Sequence, residues 1–255
     1  MEQNPLEQFS LKDRKALVTG ARSGIGRAIA EGLAKAGAKV AISGRNEMAL
    51  AKVAQVIGAI AAIRQDVTQV SDCRRGVEQA AEKLGGLDIL INNAGIEQVK
   101  PSLEVDEEIW DRILDTNLKG AFFCAQGAAV AMRAAGTGGS IVNICSLTSY
   151  RGIPTAVPYT SSKSGLLGMT QALAAEWAPL KIRVNGLAPG YFRTELTEVF
   201  YQNPAWQDAM LGKVPLGRFG NLGDLVGAAI FLASDASAYI TGQCLGVDGG
   251  TLASL

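Results

Sequence analysis

The chain has 255 residues, and its 24 lysines and arginines equal its 24 aspartates and glutamates, so the formal net charge is zero. This balance argues against a nucleic-acid-binding protein, which needs a basic surface. No histidine is present, which excludes a Ser-His-Asp triad and an HExxH zinc site, and we predict no metal site.

Cysteine spacing and the distribution of apolar residues indicate the cellular setting. Cys73, Cys124, Cys145 and Cys244 form neither a CxxC pair nor a zinc-finger spacing, so we expect buried free thiols in a reducing cytoplasm. The first residues, MEQNPLEQFSLKDR, are polar and lack the apolar core of a signal peptide. No stretch has the ~20 apolar residues that a membrane span needs. We therefore predict a cytoplasmic protein that does not bind a membrane.

Short apolar strands alternate with longer amphipathic helices along the chain. The predicted strands cover 15–20, 39–43, 61–67, 87–95, 139–146, 182–190 and 243–250. The predicted helices cover 24–38, 47–57, about 70–84, about 107–135, 159–178 and 224–234. Such alternation is typical of βαβ units in a parallel sheet, and nearly wholly apolar strands indicate helices on both of its faces. We predict an α/β protein with a single domain over 1–255.

One connection, 191–221, is longer than compact domains usually allow, and it carries Pro204 and Pro215. Long connections of this kind are often lids or binding loops. We predict a substrate-binding loop or lid.

The first strand is followed by a glycine-rich turn, TGARSGIG, at 19–26. Gly20, Gly24 and Gly26 permit a tight turn, let backbone N–H groups approach a pyrophosphate, and open a helix whose N-terminus favours an anion. The spacing is GxxxGxG and not the GxGxxG of the common dinucleotide fingerprint. From its strand–turn–helix context we interpret it as the phosphate end of a dinucleotide site.

The end of the second strand reads ISGRN, at 42–46. An NAD site has a carboxylate about 20 residues past the glycines, which binds the ribose 2′-hydroxyl. Arg45 stands there instead, and a guanidinium suits a 2′-phosphate; Arg22, in the glycine turn, is a candidate second cation. We predict that NADP(H) is preferred, with NAD(H) as the alternative cofactor. The alternative for Arg45 is a solvated surface side chain.

Polar residues end two further strands at the same sheet edge. Asp66 ends the third strand, where it is a candidate acceptor for the adenine amino group, and Asn92 and Asn93 end the fourth. Ligands of open α/β sheets bind at the carboxyl ends of the strands. Both asparagines are therefore candidate cofactor contacts, with a plain turn as the alternative.

Tyr159 and Lys163 stand four residues apart in a predicted helix, so they share one helical face. A free tyrosine titrates near pH ~10, and we expect the Lys163 ammonium to lower the pKa of Tyr159. Two common residues also occur at this spacing by chance. In a chain without histidine, Tyr159 and Lys163 are the best proton-transfer pair. Ser146 ends the fifth strand, where it can hydrogen-bond the reacting oxygen. We interpret Ser161 and Ser162 as spacers.

Together these motifs resemble the short-chain dehydrogenase/reductase family over about 11–252. The matching motifs are Thr19-Gly20-x-x-x-Gly24-Ile25-Gly26, Asn92-Asn93-Ala94-Gly95, Asn117 in LDTNLKG, Ser146 in IVNICS, Tyr159-x-x-x-Lys163 and Pro189-Gly190-x-x-x-Thr194. The resemblance implies a single Rossmann-like domain whose doubly wound, seven-stranded parallel sheet carries helices on both faces. It also implies NAD(P)-dependent hydride transfer to or from a secondary alcohol or ketone. Family members are commonly homotetramers, with dimers as the alternative.

The resemblance also implies roles for individual residues. Tyr159 would be the acid and base, and Ser146 would position the carbonyl. Lys163 would lower the Tyr159 pKa and bind the nicotinamide ribose, while Asn117 would hold a water. The implied cofactor contacts are Gly20, Arg22, Ser23, Gly24, Ile25, Gly26, Arg45, Asp66, Val67, Asn93, Ala94, Gly95, Tyr159, Lys163, Pro189, Gly190, Phe192 and Thr194. The implied substrate contacts are Ser146, Thr148, Tyr159 and Tyr191.

The segments NICSLTS, APGYFRTELT and DLVGAAIFLAS resemble the branch of gluconate 5-dehydrogenases and related sugar-acid and polyol dehydrogenases. A sugar acid needs a nearby cation, for which Lys100, Arg151 and Arg193 are candidates, whereas Glu97 argues against a carboxylate substrate. We expect a small sugar, sugar acid, polyol or other ketone. A 3-oxoacyl-carrier-protein reductase is the alternative, although the neutral chain does not favour a basic docking surface. A third alternative is a non-catalytic cofactor-binding protein of the same fold.

Overall fold

A computed structural model of the protein describes residues 4–254. The strands are β1 (Lys15–Thr19), β2 (Lys39–Gly44), β3 (Ala61–Arg64), β4 (Ile89–Asn92), β5 (Gly139–Ile144), β6 (Ile182–Pro189) and β7 (Cys244–Val247). All pair in parallel in a single sheet of 7 strands, in the order β3-β2-β1-β4-β5-β6-β7. The predicted doubly wound, seven-stranded parallel sheet is confirmed.

Helices cover both faces of the sheet. They are α1 (Gly24–Lys35), α2 (Glu47–Ile57), α3 (Val70–Leu84), α4 (Glu107–Leu114), α5 (Gly120–Ala135), α6 (Val157–Trp177), α7 (Glu198–Tyr201), α8 (Pro204–Leu211) and α9 (Gly223–Ala233). Val18 of β1 belongs to the apolar cluster formed with α1, α2 and α9, whereas its neighbour Leu17 belongs to the cluster formed with α3, α5 and α6. Alternate strand residues point to opposite faces, so both faces need apolar side chains.

The order of the strands places one crevice beside β1. This strand pairs with β2 on one side and with β4 on the other, so the chain reverses direction across the sheet at this point. The glycine turn follows β1, the NNAG turn follows β4, and Ser146 follows β5. Because parallel strands share one carboxyl edge, these segments meet where open α/β sheets bind ligands.

Several predicted elements differ from those in the structure. The helix predicted over 24–38 ends at Lys35, and Gly37 adopts a left-handed φ of 98° beyond it. The helix predicted over 107–135 is divided by a π-helical turn, Asp115–Lys119, between α4 and α5. The strand predicted at 61–67 ends at Arg64, and a loop follows it at the sheet edge; the segment 87–95, predicted as a strand with its exit turn, is a strand as far as Asn92.

The segment 191–221 contains the short helices α7 and α8 and its own aromatic cluster. The Tyr201 ring meets Trp206 and Phe219 edge-on, with ring centres 5.1 and 4.9 Å apart. Trp206 also stacks on Phe219 and Phe200. Contacts between aromatic rings of this kind stabilise a segment beyond the area that they bury, so this long connection holds a defined shape.

Within residues 4–254, no helix is both long enough and apolar enough to cross a membrane. In the same part of the chain, no three Cys, Asp or Glu side chains are grouped as metal ligands would be. All four cysteines are free thiols, and Cys73, Cys124 and Cys145 are buried.

Candidate active site

A cavity of ≈ 540 Å³ lies at the carboxyl edge of the sheet. Its volume falls within the ~300–1,000 Å³ typical of small-molecule and cofactor sites. The predicted site residues that line it are Gly20, Arg22, Ser23, Gly24, Ile25, Arg45, Asp66, Val67, Asn93, Ala94, Gly95, Ser146, Tyr159, Lys163, Pro189, Gly190, Phe192 and Thr194. The other predicted residues, Gly26, Asn117, Thr148 and Tyr191, do not line it.

Thr19, at the end of β1, joins the glycine turn to the NNAG turn. Its hydroxyl oxygen accepts hydrogen bonds from the backbone N–H groups of Asn93 at 3.0 Å and Ala94 at 3.1 Å. The Asn93 amide donates in return to the carbonyls of Thr19 and Gly20, both at 3.0 Å. Gly20 has a φ of 65°, and a Cβ there would lie 2.7 Å from the Ala94 Cα. The two turns can therefore pack this closely because Gly20 has no side chain.

The start of α1 fits the pyrophosphate of a dinucleotide. Gly24 opens the helix with a φ of 57°, and Gly26 packs directly against the Asn93 amide. Ser23, the N-cap residue, makes no side-chain hydrogen bond to the helix. The first backbone N–H groups of a helix lack intrahelical partners, so here they remain available to an anion.

Two arginines line the cavity, and only one of them is paired. Arg22 forms an ion pair with Glu195 of the segment 191–221. Arg45 follows β2, is exposed, and has no ion-pair partner among the residues that the structure describes. Arg45 is therefore the cation that is free to take a phosphate, whereas Arg22 ties the glycine turn to the segment 191–221.

Asp66 lines the cavity after β3. One of its carboxylate oxygens accepts hydrogen bonds from the Thr68 backbone N–H at 3.1 Å and the Thr68 hydroxyl at 2.8 Å. Behind it, Gln65 accepts a 2.6 Å hydrogen bond from the buried Ser43 hydroxyl. The second Asp66 oxygen has no hydrogen-bond donor within residues 4–254, so it is available to a ligand.

The helix α6 carries Tyr159 and Lys163 on the face that lines the cavity. It begins at Val157, two residues before the predicted start at Tyr159. The Lys163 side chain is 5% exposed, and its ammonium donates a 2.7 Å hydrogen bond to the Ile144 carbonyl. The same ammonium lies 5.6 Å from the centre of the Tyr159 ring.

Burial controls the protonation of this pair. It raises the pKa of Tyr159 above its ordinary value, with a further rise from Glu97 and an opposing effect of the Ser146 hydroxyl. Burial lowers the pKa of Lys163 to about 8. Burial acts in the opposite direction to the lowering that we expect from Lys163, because desolvation disfavours the phenolate, and the ammonium donates its hydrogen bond to the Ile144 carbonyl. Burial therefore favours the neutral phenol of Tyr159.

Asn117 lies in the π-helical turn and is 1% exposed. Its amide pairs with the Ile96 backbone, accepting from the N–H at 2.8 Å and donating to the carbonyl at 2.9 Å. It also donates to the Ser162 hydroxyl at 3.1 Å, and Ser162 donates to the Tyr159 carbonyl at 2.7 Å. The interpretation of Ser162 as a spacer is wrong, because this hydroxyl joins Asn117 to the start of α6.

Gly95 lies close to both Asn117 and Lys163. A Cβ on Gly95 would lie 3.3 Å from the Asn117 Oδ1 and 3.7 Å from the Lys163 Nζ. The NNAG turn can therefore approach both polar side chains because Gly95 has no side chain of its own.

Ser146 lines the cavity after β5, and the turn that follows fixes its position. Its hydroxyl oxygen accepts a 3.2 Å hydrogen bond from the Thr148 backbone N–H. The Ser149 hydroxyl donates a 2.8 Å hydrogen bond to the Lys163 carbonyl, which joins this turn to α6. Thr148, a predicted substrate contact, is 3% exposed, and its hydroxyl has no hydrogen-bond partner in the described residues. Thr148 therefore does not line the cavity.

The turn after β6 supplies another wall. A Cβ on Gly190 would lie 2.6 Å from the Asp248 Cα, so this turn packs directly on the backbone that follows β7. The Phe192 carbonyl accepts a 2.8 Å hydrogen bond from the Thr197 hydroxyl, and that hydroxyl lies 3.2 Å from the hydroxyl of Thr194. These bonds fix the backbone where the segment 191–221 begins.

Tyr191 lines a second, smaller cavity of ≈ 140 Å³ instead of the main one. Its ring lies edge-on to Trp206, with ring centres 5.9 Å apart. The structure therefore places this predicted substrate contact in the aromatic cluster of the segment 191–221.

The three candidate cations for a sugar acid lie outside the main cavity. Lys100 forms a 3.0 Å ion pair with an aspartate, and Arg193 forms a 2.6 Å ion pair with a glutamate. Arg151 donates to two backbone carbonyls near the C-terminus at 2.9 and 2.7 Å. Glu97 does line the cavity, together with Tyr159 and Lys163.

Asn92 has a structural position and does not line the cavity. It is 5% exposed, and its amide donates to the Asn143 side chain at 2.9 Å and to the Ala121 carbonyl at 3.0 Å. Asn143 donates onward to the Thr170 hydroxyl at 2.9 Å. This buried chain of hydrogen bonds joins β4 and β5 to Thr170 of α6.

Other lining residues were not singled out from the sequence as site residues. They are Ser43, Gly44, Asn46, Gln65, Thr68, Ile96, Thr116, Ile144, Cys145, Glu195, Leu196 and Thr197. Ser43, Gly44, Gln65, Ile144 and Cys145 end a strand or follow one directly, so their position at the carboxyl edge could have identified them. Glu195, Leu196 and Thr197 lie in a connection whose sequence has no periodic pattern.

Comparisons with known proteins agree with this geometry. A family model described as "Enoyl-(Acyl carrier protein) reductase" matches residues 20–251. The chain is 42% identical to the gluconate 5-dehydrogenase of Gluconobacter oxydans (strain 621H), over 97% of this chain and 98% of that protein.

Two crystal structures are also similar over almost the whole chain. One is a gluconate 5-dehydrogenase from Burkholderia cenocepacia J2315 in complex with NADP and tartrate, with a TM-score of 0.95, 40% identity, and coverage of 99% of this chain and 100% of that one. The other is a short-chain type dehydrogenase/reductase from Mycobacterium marinum, with a TM-score of 0.92, 41% identity, and coverage of 97% and 99%. The chain therefore belongs to the short-chain dehydrogenase/reductase family of oxidoreductases.

Proposed function

We propose that the protein is an NADP(H)-dependent oxidoreductase that interconverts a secondary alcohol and a ketone in a small polyhydroxylated substrate, such as a sugar, sugar acid or polyol. The observation that carries this proposal is the single cavity that Tyr159, Lys163 and Ser146 share with the glycine turn and Arg45. The similarity to gluconate 5-dehydrogenases supports a substrate of this chemical class.

Different residues around the cavity bind different parts of the cofactor. When bound, the nicotinamide supplies or accepts the hydride. The turn from Gly20 to Gly26 holds the pyrophosphate, and Arg45 binds the 2′-phosphate through charge-assisted hydrogen bonds. Asp66 and Val67 contact the adenine. The remaining contacts belong to the nicotinamide end, namely Asn93, Ala94, Gly95, Tyr159, Lys163, Pro189, Gly190, Phe192 and Thr194.

Tyr159 moves the proton. Burial raises its pKa and so favours the neutral phenol, which donates a proton to the carbonyl oxygen during reduction and recovers that proton during alcohol oxidation. The Ser146 hydroxyl hydrogen-bonds the same oxygen and positions it. The Lys163 ammonium favours the phenolate once it has formed. Asn117 and Lys163, which both lie close to Gly95, hold a water that returns protons from solvent.

The segment 191–221 acts as the lid of this site. Its Glu195 forms an ion pair with Arg22 of the glycine turn, and its Thr194 lines the cavity.

The protein is a homotetramer, with a dimer as the alternative, and works in a reducing cytoplasm, which its unpaired cysteines favour. Light scattering during size-exclusion chromatography measures the assembly.

An absorbance assay at the nicotinamide wavelength tests the proposed function. The panel contains ketoses, polyols, sugar acids, simple ketones and a 3-oxoacyl thioester, each with both cofactors. We expect turnover of a hydroxylated substrate and a higher kcat/KM with NADP(H) than with NAD(H). Turnover of the thioester alone would favour the carrier-protein reductase. Cofactor binding without turnover of any substrate would favour a non-catalytic protein.

A further inference from the structure

The loop after β4 places a carboxylate at the reaction end of the cavity. Glu97 follows the NNAG turn by two residues, is partly buried, and lines the same cavity as Ser146 and Tyr159. The proposed mechanism gives this carboxylate no role.

Glu97 has no partner of its own in the structure. Among residues 4–254, no side chain or backbone group donates a hydrogen bond to its carboxylate, and no cation forms an ion pair with it. Burial raises the pKa of the Glu97 carboxyl, and the ammonium of Lys163 opposes that rise. A partly buried carboxylate without donors is unfavourable unless a ligand supplies them. Substrate hydroxyl groups are donors of this kind.

The reaction end of the cavity offers no free cation to a substrate carboxylate. Lys163 is the only cation in the described chain that lines the cavity there, and it is 5% exposed and donates to the Ile144 carbonyl. The other two cations that line the cavity are Arg22, which is paired with Glu195, and Arg45, which lies beside β2. A carboxylate placed near Glu97 would therefore meet a like charge, which opposes binding.

We propose that Glu97 is a specificity-determining residue that accepts hydrogen bonds from substrate hydroxyls and selects neutral alditols and ketoses over the corresponding aldonates. This inference rests on the proposed function and deepens it, because it chooses among the polyhydroxylated substrates. A neutral substrate satisfies the Glu97 oxygens, whereas an aldonate brings a second negative charge into a cavity that has one already.

The substitution Glu97→Gln isolates the charge. Glutamine keeps the shape of the side chain and one acceptor oxygen, so the variant removes the negative charge with little change in volume. The matched control is Glu104→Gln, since Glu104 is exposed, does not line the cavity, and carries the same charge. Any general effect of net charge appears equally in both variants.

The experiment compares D-glucitol with D-gluconate and galactitol with D-galactonate, because the members of each pair differ only at one terminal carbon. Binding to the enzyme–NADP⁺ complex is measured by calorimetry, and kcat/KM is measured for oxidation. We expect the wild-type enzyme to prefer the neutral member of at least one pair. In Glu97→Gln that preference should fall about tenfold, while Glu104→Gln should keep it.

Three results would overturn the inference. The first is a wild-type preference for the aldonates, which would leave the proposed oxidoreductase function intact. The second is a preference that changes less than about threefold in Glu97→Gln, or changes equally in Glu104→Gln. The third is an absence of binding and turnover for all four compounds; the wider substrate panel then decides the proposed function separately.

Discussion

The ammonium of Lys163 lies 5.6 Å from the centre of the Tyr159 ring and donates its hydrogen bond to the Ile144 carbonyl. It therefore places a positive charge near the aromatic ring, while burial raises the pKa of the phenol and favours its protonated form. A protonated Tyr159 is prepared to donate, which suits carbonyl reduction near neutral pH. Alcohol oxidation needs the phenolate, so it should be favoured at higher pH.

The pH dependence of oxidation should respond to Glu97. This carboxylate raises the pKa of both Tyr159 and Lys163, although burial has the larger effect on each. Glu97→Gln removes that contribution, so both pKa values should fall, while Cys145 and Ser146 beside Tyr159 are unchanged. The rising limb of kcat/KM for alcohol oxidation should then move to lower pH. A profile from about pH 6 to about pH 10 at saturating cofactor measures it; an unmoved or upward-shifted limb would contradict the electrostatic account.

Cofactor preference should depend on Arg45. Hydrogen bonds to charged groups contribute about 1.5–3 kcal/mol, so Arg45→Ala should reduce the kcat/KM ratio of NADP(H) over NAD(H) by about tenfold or more. The loss should appear in KM for NADP(H) and leave NAD(H) kinetics nearly unchanged.

Lys52→Ala is the matched control for this ratio, because Lys52 is an exposed cation on α2 that does not line the cavity. An unchanged ratio in Arg45→Ala, or an equal change in both variants, would show that Arg45 is only a solvated surface residue.

The sequence predicted those parts of the site that follow directly from the strands. The glycine turn, Asn93, Ser146 and Arg45 each follow a strand, and parallel strands bring their carboxyl ends to one edge whatever the details of packing. The spacing of Tyr159 and Lys163 likewise needs only a helix, which the apolar periodicity of α6 predicts.

Other features depend on contacts between distant segments, which periodicity does not contain. The sequence predicts plain helix where the structure has the π-helical turn around Asn117, since a single extra residue in a turn leaves the apolar pattern on both sides intact. Its hydrogen bond to Ser162 joins residues 45 positions apart. The pair of Arg22 with Glu195 spans 173 positions. The rise in the Tyr159 pKa depends on burial, which the sequence does not show.

Ser162 should position the start of α6, which carries Tyr159 and Lys163. Ser162→Ala removes the hydroxyl that accepts from Asn117 and donates to the Tyr159 carbonyl, which should destabilise the protein by about 1 kcal/mol. We also expect kcat to fall severalfold with little change in the dissociation constant of NADPH. Ser161→Ala, one residue earlier and without a hydrogen bond of its side chain in the described chain, should change neither. Equal behaviour of the two variants in urea unfolding and kinetics would refute the role of Ser162.

Gly190 should be intolerant of a side chain for steric reasons. An alanine Cβ would lie 2.6 Å from the backbone Cα of Asp248, which cannot rotate away. Overpacking of this kind costs typically about 1–3 kcal/mol, so Gly190→Ala should lower the midpoint of urea unfolding. Gly227→Ala is the control, because no atom lies within 4 Å of its Cβ position on α9, and there alanine should be neutral or stabilising. A Gly190→Ala variant as stable as the wild type would show that β6 and β7 separate easily.

The assignment of Tyr159 as the proton donor is the central claim, and Tyr159→Phe tests it most directly. Phenylalanine keeps the ring and the packing of α6 and removes only the hydroxyl. General acid–base catalysis contributes about 10²–10⁴-fold, so we expect turnover of the best substrate from the panel to be abolished. The dissociation constant of NADPH, measured by fluorescence, should stay within about threefold of the wild-type value. A variant that binds NADPH normally and keeps more than a few per cent of the wild-type kcat would contradict the account.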